Sequence, residues 1–316
     1  MKIDRIVFMG TPSFAVPSLK LLIDSGYKPE ICITQPDKPK GRKQKLRSPE
    51  IKKVAEAYKI KVIQPDNVNS NETFNTLSHI KPKIIITVAY GGYLGRRLRN
   101  YPEYGCINLH PSLLPKYRGA APINHTLFNG DKYTGNTVFK LVAKMDAGPV
   151  LYQTRLKIKP EENFSQLSDR LAEDGAKALI RCLEKLSEQD IVIKNQNEAE
   201  ATYCPKLKKE DMLLSWRMEA RVICNKVRGL SYRPGAVACF RGKRIKILKS
   251  KILQQRSLEE AGKILELIKP TGIVVSTADQ NILIQEVQPE GKRIMSSYAY
   301  NLGARIKLGE SFESGF

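Results

Sequence analysis

Cys106-Ile-Asn-Leu-His110-Pro-Ser-Leu-Leu-Pro-Lys-Tyr-Arg-Gly-Ala-Ala-Pro-Ile123 starts as an apolar strand and breaks into a loop at Pro111. Side chains alternate along a strand, so Asn108 and His110 share one face while Ile107 and Leu109 take the other. An amide and an imidazole side by side at a strand end form a donor pair aimed at one point. Ser112-Leu-Leu-Pro115 is apolar but ends in a residue without an N–H, which suits a wall or clamp. Tyr117-Arg118-Gly119 then turns the chain before a helix opening near Ala121 or Pro122. A histidine at a strand end is most often structural. This one is among only three in the chain, and its face carries no apolar periodicity.

Outward from this stretch, strands and helices alternate. Ile3 to Met9 reads as a strand, followed by a helix from about Pro17 to Ser25 and a strand from Glu30 to Thr34. A helix from Pro49 to Tyr58, a strand around Val62, a helix from Asn71 to His79 and a strand from Lys83 to Ala89 continue the pattern. It predicts a Rossmann-like, doubly wound α/β sheet. Gly10 stands alone where G-x-G-x-x-G would be required, which excludes a dinucleotide-binding turn. Past the central stretch, Thr134 to Val142 and Val150 to Ile158 read as strands around Asp146, and Asn163 to Leu186 as an amphipathic helix.

From about Ala201 the texture changes. A basic linker, 201–210, carries Lys206, Lys208 and Lys209, and Ser215 to Gly229 reads as one helix. Short β runs follow at Val237–Phe240, Ile245–Lys249, Gly272–Ser276 and Ile282–Val287. Strands at that spacing predict a small barrel, five-stranded and OB-like, over 211–316.

Charge is the compositional outlier. The 316 residues hold 53 Lys and Arg against 32 Asp and Glu, a net charge of +21. A field of that sign favours polyanions, although a basic proteome would produce it too. Residues 206–316 supply +10 of it. A second concentration runs from Asp37 to Ser48, where Lys38, Lys40, Arg42, Lys43, Lys45 and Arg47 surround Gly41. Without apolar periodicity it reads as a long, mobile loop before a helix capped by Ser48. It falls on the sheet edge where open α/β folds place their sites. The six cysteines have neither C-x-x-C pairing nor metal-ligand spacing, and read as reduced thiols of a cytoplasmic protein. No apolar run is long enough to span a bilayer.

Asn108-x-His110-x-Ser112-Leu-Leu-Pro115-x-x-Arg118-Gly119, followed by Met145-Asp146-Ala147-Gly148, resembles the signature of formyltransferases that use 10-formyltetrahydrofolate. From end to end the chain is similar to the branch of that family acting on methionyl-tRNA. The resemblance implies a formyltransferase catalytic domain at 1–200 and a tRNA-binding OB-like domain at 211–316. It also implies that Tyr90-Gly91-Gly92 closes over the folate with backbone groups, as two glycines permit. Ser112, Leu113, Leu114 and Pro115 would line the same ring. The pair Gly41-Arg42, within the basic loop, would meet the tRNA acceptor stem. Gly92-Tyr93 departs from the more apolar residues usual in the family.

Formyl transfer to an amine needs donors for a developing oxyanion and an acceptor for the amine proton. Asn108 and His110 suit the first need and Asp146 the second, whether directly, through water or by fixing the charge and orientation of His110, with no metal required. The expected reaction turns methionyl-initiator-tRNA into N-formylmethionyl-tRNA and releases tetrahydrofolate, on a monomer. Two alternatives differ in what they leave unexplained. A nucleotide-sugar or purine-pathway amine would not call for the basic loop. A non-catalytic RNA-binding protein would not call for Asn108, His110 and Asp146.

Overall fold

The computed structural model describes residues 2–40 and 45–314. In chain order it forms β1 (Ile6–Gly10), α1 (Val16–Asp24), β2 (Ile31–Ile33), β3 (Lys38–Lys40), β4 (Lys45–Arg47), α2 (Glu50–Ala57) and β5 (Lys61–Ile63). Next come α3 (Asn71–Ile80), β6 (Ile84–Val88), α4 (Arg96–Arg99), β7 (Cys106–His110), β8 (Arg118–Gly119) and α5 (Pro122–Phe128). They are followed by β9 (Tyr133–Lys140), β10 (Val150–Lys157), α6 (Phe164–Ser187), β11 (Tyr203–Cys204) and α7 (Ala220–Leu230). The last elements are β12 (Ala236–Phe240), β13 (Lys243–Arg256), β14 (Ile264–Ile268), β15 (Gly272–Val275), β16 (Gln280–Pro289), β17 (Met295–Ser296) and α8 (Ser297–Ala304).

Two compact units result. One comprises Met1–Gly119, Tyr133–Lys157 and Ser168–Cys204; the other comprises Ala120–Lys132, Ile158–Leu167 and Pro205–Phe316. The first is built on a sheet of order β10-β9-β7-β6-β1-β2-β5. Its β1, β2, β5, β6 and β7 are parallel, while β9 runs antiparallel to both of its neighbours, β7 and β10. Alternation along β1 sends Ile6 and Phe8 into one apolar cluster and Val7 and Met9 into another, so both faces are covered. Each such apolar side chain stabilises the fold by about 1.5–3 kcal/mol relative to exposure. The carboxyl ends of β6 and β7 form the edge where a site belongs.

Two expectations for this unit change. The basic segment is not simply a loop, because Lys38–Lys40 and Lys45–Arg47 pair antiparallel. Gly41, Arg42 and Lys43 lie outside the described residues. Nor does Ser48 cap α2. Its hydroxyl donates to Asp37 (2.9 Å), as does Gln64 (2.6 Å), and α2 opens after Pro49 without a side-chain cap. These bonds anchor Asp37 at the foot of the β3–β4 pair.

The second unit is an antiparallel sheet of order β12-β13-β16-β15-β14, with β17 pairing on β16. Residues 309–313 meet both of its edges. The Cys239 and Glu313 amides and carbonyls pair reciprocally (3.3 and 2.9 Å), and Ile264 N–H donates to Glu310 O (2.7 Å). Both edges are therefore covered, which closes the OB-like sheet on itself. Trp216, Phe240 and Phe312 fill its core, so the single tryptophan is no exposed stacking surface. The helix expected from Ser215 starts only at Ala220. Trp216 is buried, Leu214 N–H bonds Val237 O, and Asp279 accepts from Ala220 N–H (2.7 Å), so a residue distant in sequence caps the helix. Strands β14 and β17 and helix α8 were not legible in the sequence. Helix α5 groups here rather than with an unbroken catalytic segment to residue 200, because Asn124 Nδ2 donates to Gly229 O (2.8 Å) and Phe128 packs on this core. Among the described residues no helix is long and apolar enough to cross a membrane.

Candidate active site

Asn108 and His110 end β7, and Thr87 lies opposite Asn108 in the parallel register of β6. The Thr87 hydroxyl donates to Asn108 Oδ1 at 2.8 Å and also lies 3.0 Å from Ile107 O. With its oxygen engaged, the Asn108 amide presents its NH₂ group outward as a donor. This bond depends on strand register, which the sequence reading did not resolve.

His110 is buried, and its Nε2 lies 2.8 Å from Tyr117 O. A carbonyl only accepts, so Nε2 carries the proton and Nδ1 of the neutral ring bears the lone pair. Nδ1 faces Asp146 Oδ2 across 3.8 Å, beyond a hydrogen bond. The neutral imidazole therefore has no N–H left for an oxyanion, contrary to the expectation that it donates beside Asn108. Burial pushes its pKa below the usual imidazole value, against the opposing pull of the Asp146 charge and the Tyr117 carbonyl. Near neutral pH it is a proton acceptor.

Asp146 has a left-handed backbone (φ 49°), and its carboxylate is only 15% exposed. It is held from two sides: Oδ2 accepts from Gly119 N–H (2.8 Å), and its carbonyl accepts from Gln196 Nε2 (2.8 Å). Gly148 is required by close approach, since a Cβ there would stand 1.7 Å from Lys140 O. Gly119, at φ 123°, would place a Cβ 2.6 Å from Cys204 O, where β8 pairs with β11. Residues 203–204, expected in the linker, are thus a strand of the first unit.

Arg118, fully buried, donates to Gln196 and Glu198, and Lys144 donates to Glu198 at 2.5 Å. These partners hold the Glu198 carboxyl far down, at about 2. Gln196 and Glu198 were missed by sequence reasoning. They lie about 80 residues from Arg118 with no motif to mark them.

The loop expected against the folate is fixed by Thr137 and Gln153. Thr137 donates to Ser112 O (2.6 Å) and accepts from Leu114 N–H (3.2 Å), and Gln153 donates to Leu114 O (3.1 Å). Ser112 is fully buried and donates to Lys116 O (2.7 Å), and Leu114 is buried too. Only Leu113 and Pro115 of that group are part-exposed. The Tyr90 side chain is buried, whereas Gly91 and Gly92 are exposed and open to a ligand's close approach. Lys38 and Arg47 are exposed register partners in the β3–β4 hairpin, where Lys40 and Lys45 also pair. Lys206, Lys208 and Lys209 are exposed in the second unit. Of the other histidines, His79 bonds Asn75 O (2.7 Å) and His125 packs edge-on against Phe128. All six cysteines are thiols, and burial pushes those of Cys32, Cys106 and Cys182 up to about 12. Among the described residues no group of three or more His, Cys, Asp and Glu could hold a metal ion.

Residues 4–183 match the formyl transferase family, and residues 206–305 match the formyl transferase C-terminal domain. The family matches and the fold are those of a formyltransferase, a one-carbon transferase. The chain belongs to the methionyl-tRNA formyltransferase family. It is 41% identical to the methionyl-tRNA formyltransferase of Moorella thermoacetica over 97% of this chain and 98% of that one. Among solved structures it resembles a Helicobacter canadensis N-formyltransferase in complex with folinic acid and dTDP-3-aminofucose. That likeness has a TM-score of 0.69 at 17% identity, covering 90% of this chain and 99% of the other. It also resembles HypX from Aquifex aeolicus in complex with tetrahydrofolic acid, with a TM-score of 0.62 at 16% identity over 97% of this chain. The chain spans about half of HypX, 48% of its length. At such identities both likenesses speak to the fold.

Proposed function

We propose that this protein transfers the formyl group of 10-formyltetrahydrofolate to the α-amino group of methionyl-initiator-tRNA, acting as a monomer in the cytoplasm. The observation that carries this reading is the Asn108 amide, turned by Thr87 so that its NH₂ is a free donor beside a neutral His110 and the Asp146 carboxylate. Bound 10-formyltetrahydrofolate supplies the electrophilic formyl carbon. Asn108 donates to the oxygen on which charge develops, an interaction worth roughly two to three decades in rate. The α-amino group titrates near pH 8, so a useful fraction of it is neutral at physiological pH. Attack on the formyl carbon makes the amine an ammonium, whose proton passes to Nδ1 of His110 while Asp146 stabilises the imidazolium; the proton then goes to N10 of the folate as the bond from the formyl carbon to N10 breaks and tetrahydrofolate leaves. Gly91 and Gly92 give the folate close backbone approach, with Leu113 and Pro115 as apolar wall. The tRNA is held by Lys38, Arg47 and the rest of the basic segment, and by Lys206, Lys208 and Lys209.

The like-charged Lys38 and Arg47 are direct register partners, an unfavourable arrangement that a bound polyanion relieves. This feature favours a nucleic-acid acceptor over a small amine. The test is to incubate the protein with 10-formyltetrahydrofolate and either charged methionyl-tRNA or a nucleotide-linked amino sugar. Formylmethionine from the first mixture alone is expected. Formylated sugar, with no formylmethionine, would overturn the assignment.

A further inference from the structure

Gln196 uses every hydrogen-bonding position of its amide. Its Nε2 donates to the carbonyls of Asp146 (2.8 Å) and Gly148 (2.7 Å), and its Oε1 accepts from Nε (3.0 Å) and Nη2 (2.8 Å) of Arg118. Arginine only donates, which fixes the amide: oxygen toward Arg118, NH₂ toward the Asp146 loop. Arg118 is followed by Gly119, whose N–H reaches the Asp146 carboxylate at 2.8 Å. Asp146 is therefore gripped at both ends by parts that Gln196 ties together. It also sits at φ 49°, a conformation an aspartate reaches only at some cost and keeps when its surroundings impose it.

We propose that Gln196 is a positioning residue for formyl transfer, holding the Asp146–Gly148 loop so that the Asp146 carboxylate faces His110 Nδ1. The proposal rests on the reading of Asp146 as part of the reacting set. Glutamate at 196 is nearly isosteric and still accepts from Arg118, but it lacks the two N–H groups that hold the loop. Gln196→Glu should therefore keep the thermal midpoint within a few degrees. It should lower kcat at least about tenfold while leaving KM for folate and tRNA within about threefold. Gln196→Ala removes both halves of the clasp and should lose stability as well as rate. The deficit of Gln196→Glu should persist across the pH profile. A profile merely displaced along the pH axis, with its plateau intact, would mean that added charge and not lost donors was responsible, and would overturn the proposal.

A readout independent of substrate separates this inference from the functional one. Hydrogen exchange of the Gly119 amide, which donates to Asp146, should be at least about tenfold faster in Gln196→Glu, while β9 amides stay protected. Unchanged exchange at Gly119, or wild-type kcat in Gln196→Glu, would overturn the proposal. Absence of formylmethionine with the wild-type protein would instead count against the assigned reaction and leave the exchange result to decide the positioning role.

Discussion

The Thr87 hydroxyl donates to the side-chain oxygen of Asn108 at 2.8 Å, across the β6–β7 ladder. An amide has two nearly isosteric ends, and only one of them can stabilise an oxyanion. Bonded to Thr87 through its oxygen, Asn108 presents that NH₂ end. Replacing Thr87 with Val keeps the shape and removes the bond that holds the Asn108 amide, so kcat should fall about tenfold or more. Thr87→Ser keeps the hydroxyl and should stay close to the wild-type rate. Steady-state kinetics of the two variants check this, and a wild-type kcat in Thr87→Val would contradict it.

His110 offers a pH prediction of definite sign. Burial pushes its pKa down while the Asp146 charge pulls it up, and burial wins. Because the native value lies below the unfolded one, the associated stability is present above the ordinary imidazole value near 6.5 and is lost as pH falls below it. Asp146→Asn removes the upward pull, so the His110 ring should titrate at still lower pH. Following its imidazole protons by NMR in both proteins checks the direction. An unchanged or raised titration in the variant would show that the Asp146 charge does not pull on this ring.

The basic segment 38–47 and Lys206, Lys208 and Lys209 should make activity on methionyl-tRNA fall steeply with salt, since each neutralised phosphate releases counterion. Arg42 follows the one glycine of its segment, and a guanidinium can engage phosphate bidentately where lysine cannot. Arg42→Ala should impair formylation of tRNA more than Arg42→Lys, with folate binding unchanged in both. Removing Lys206, Lys208 and Lys209 together should chiefly flatten the salt slope. Kinetics across a salt series check this, and salt-independent wild-type activity would remove RNA contact from the account.

What could be read from the chain was local. Short apolar runs revealed β1, β6 and β7, and side-chain alternation placed Asn108 and His110 on one face before any register was known. What could not be read involves partners far apart in sequence. Thr87 reaches Asn108 through strand register, Gln196 reaches Asp146 from 50 residues away, and Asp279 caps a helix that starts at Ala220. The residues that close the second unit, 309–313, carry no strand signal of their own, because their pairing is dictated by two edges formed elsewhere. His110 shows the same limit at the level of one proton. Its place on the strand was legible, but the Tyr117 carbonyl that engages its N–H was not, and that carbonyl turns an expected donor into an acceptor.

The central claim is that Asn108, His110 and Asp146 act on one reacting carbon as a unit. Single-turnover rates of formyl transfer to methionyl-tRNA test it most directly, measured for Asn108→Ala, His110→Ala, Asp146→Ala and the triple variant. Each single change should slow transfer at least about a hundredfold with the fold intact, and the triple variant should be little slower than the worst single one. A triple variant slowed by the full product of the three factors would contradict the account.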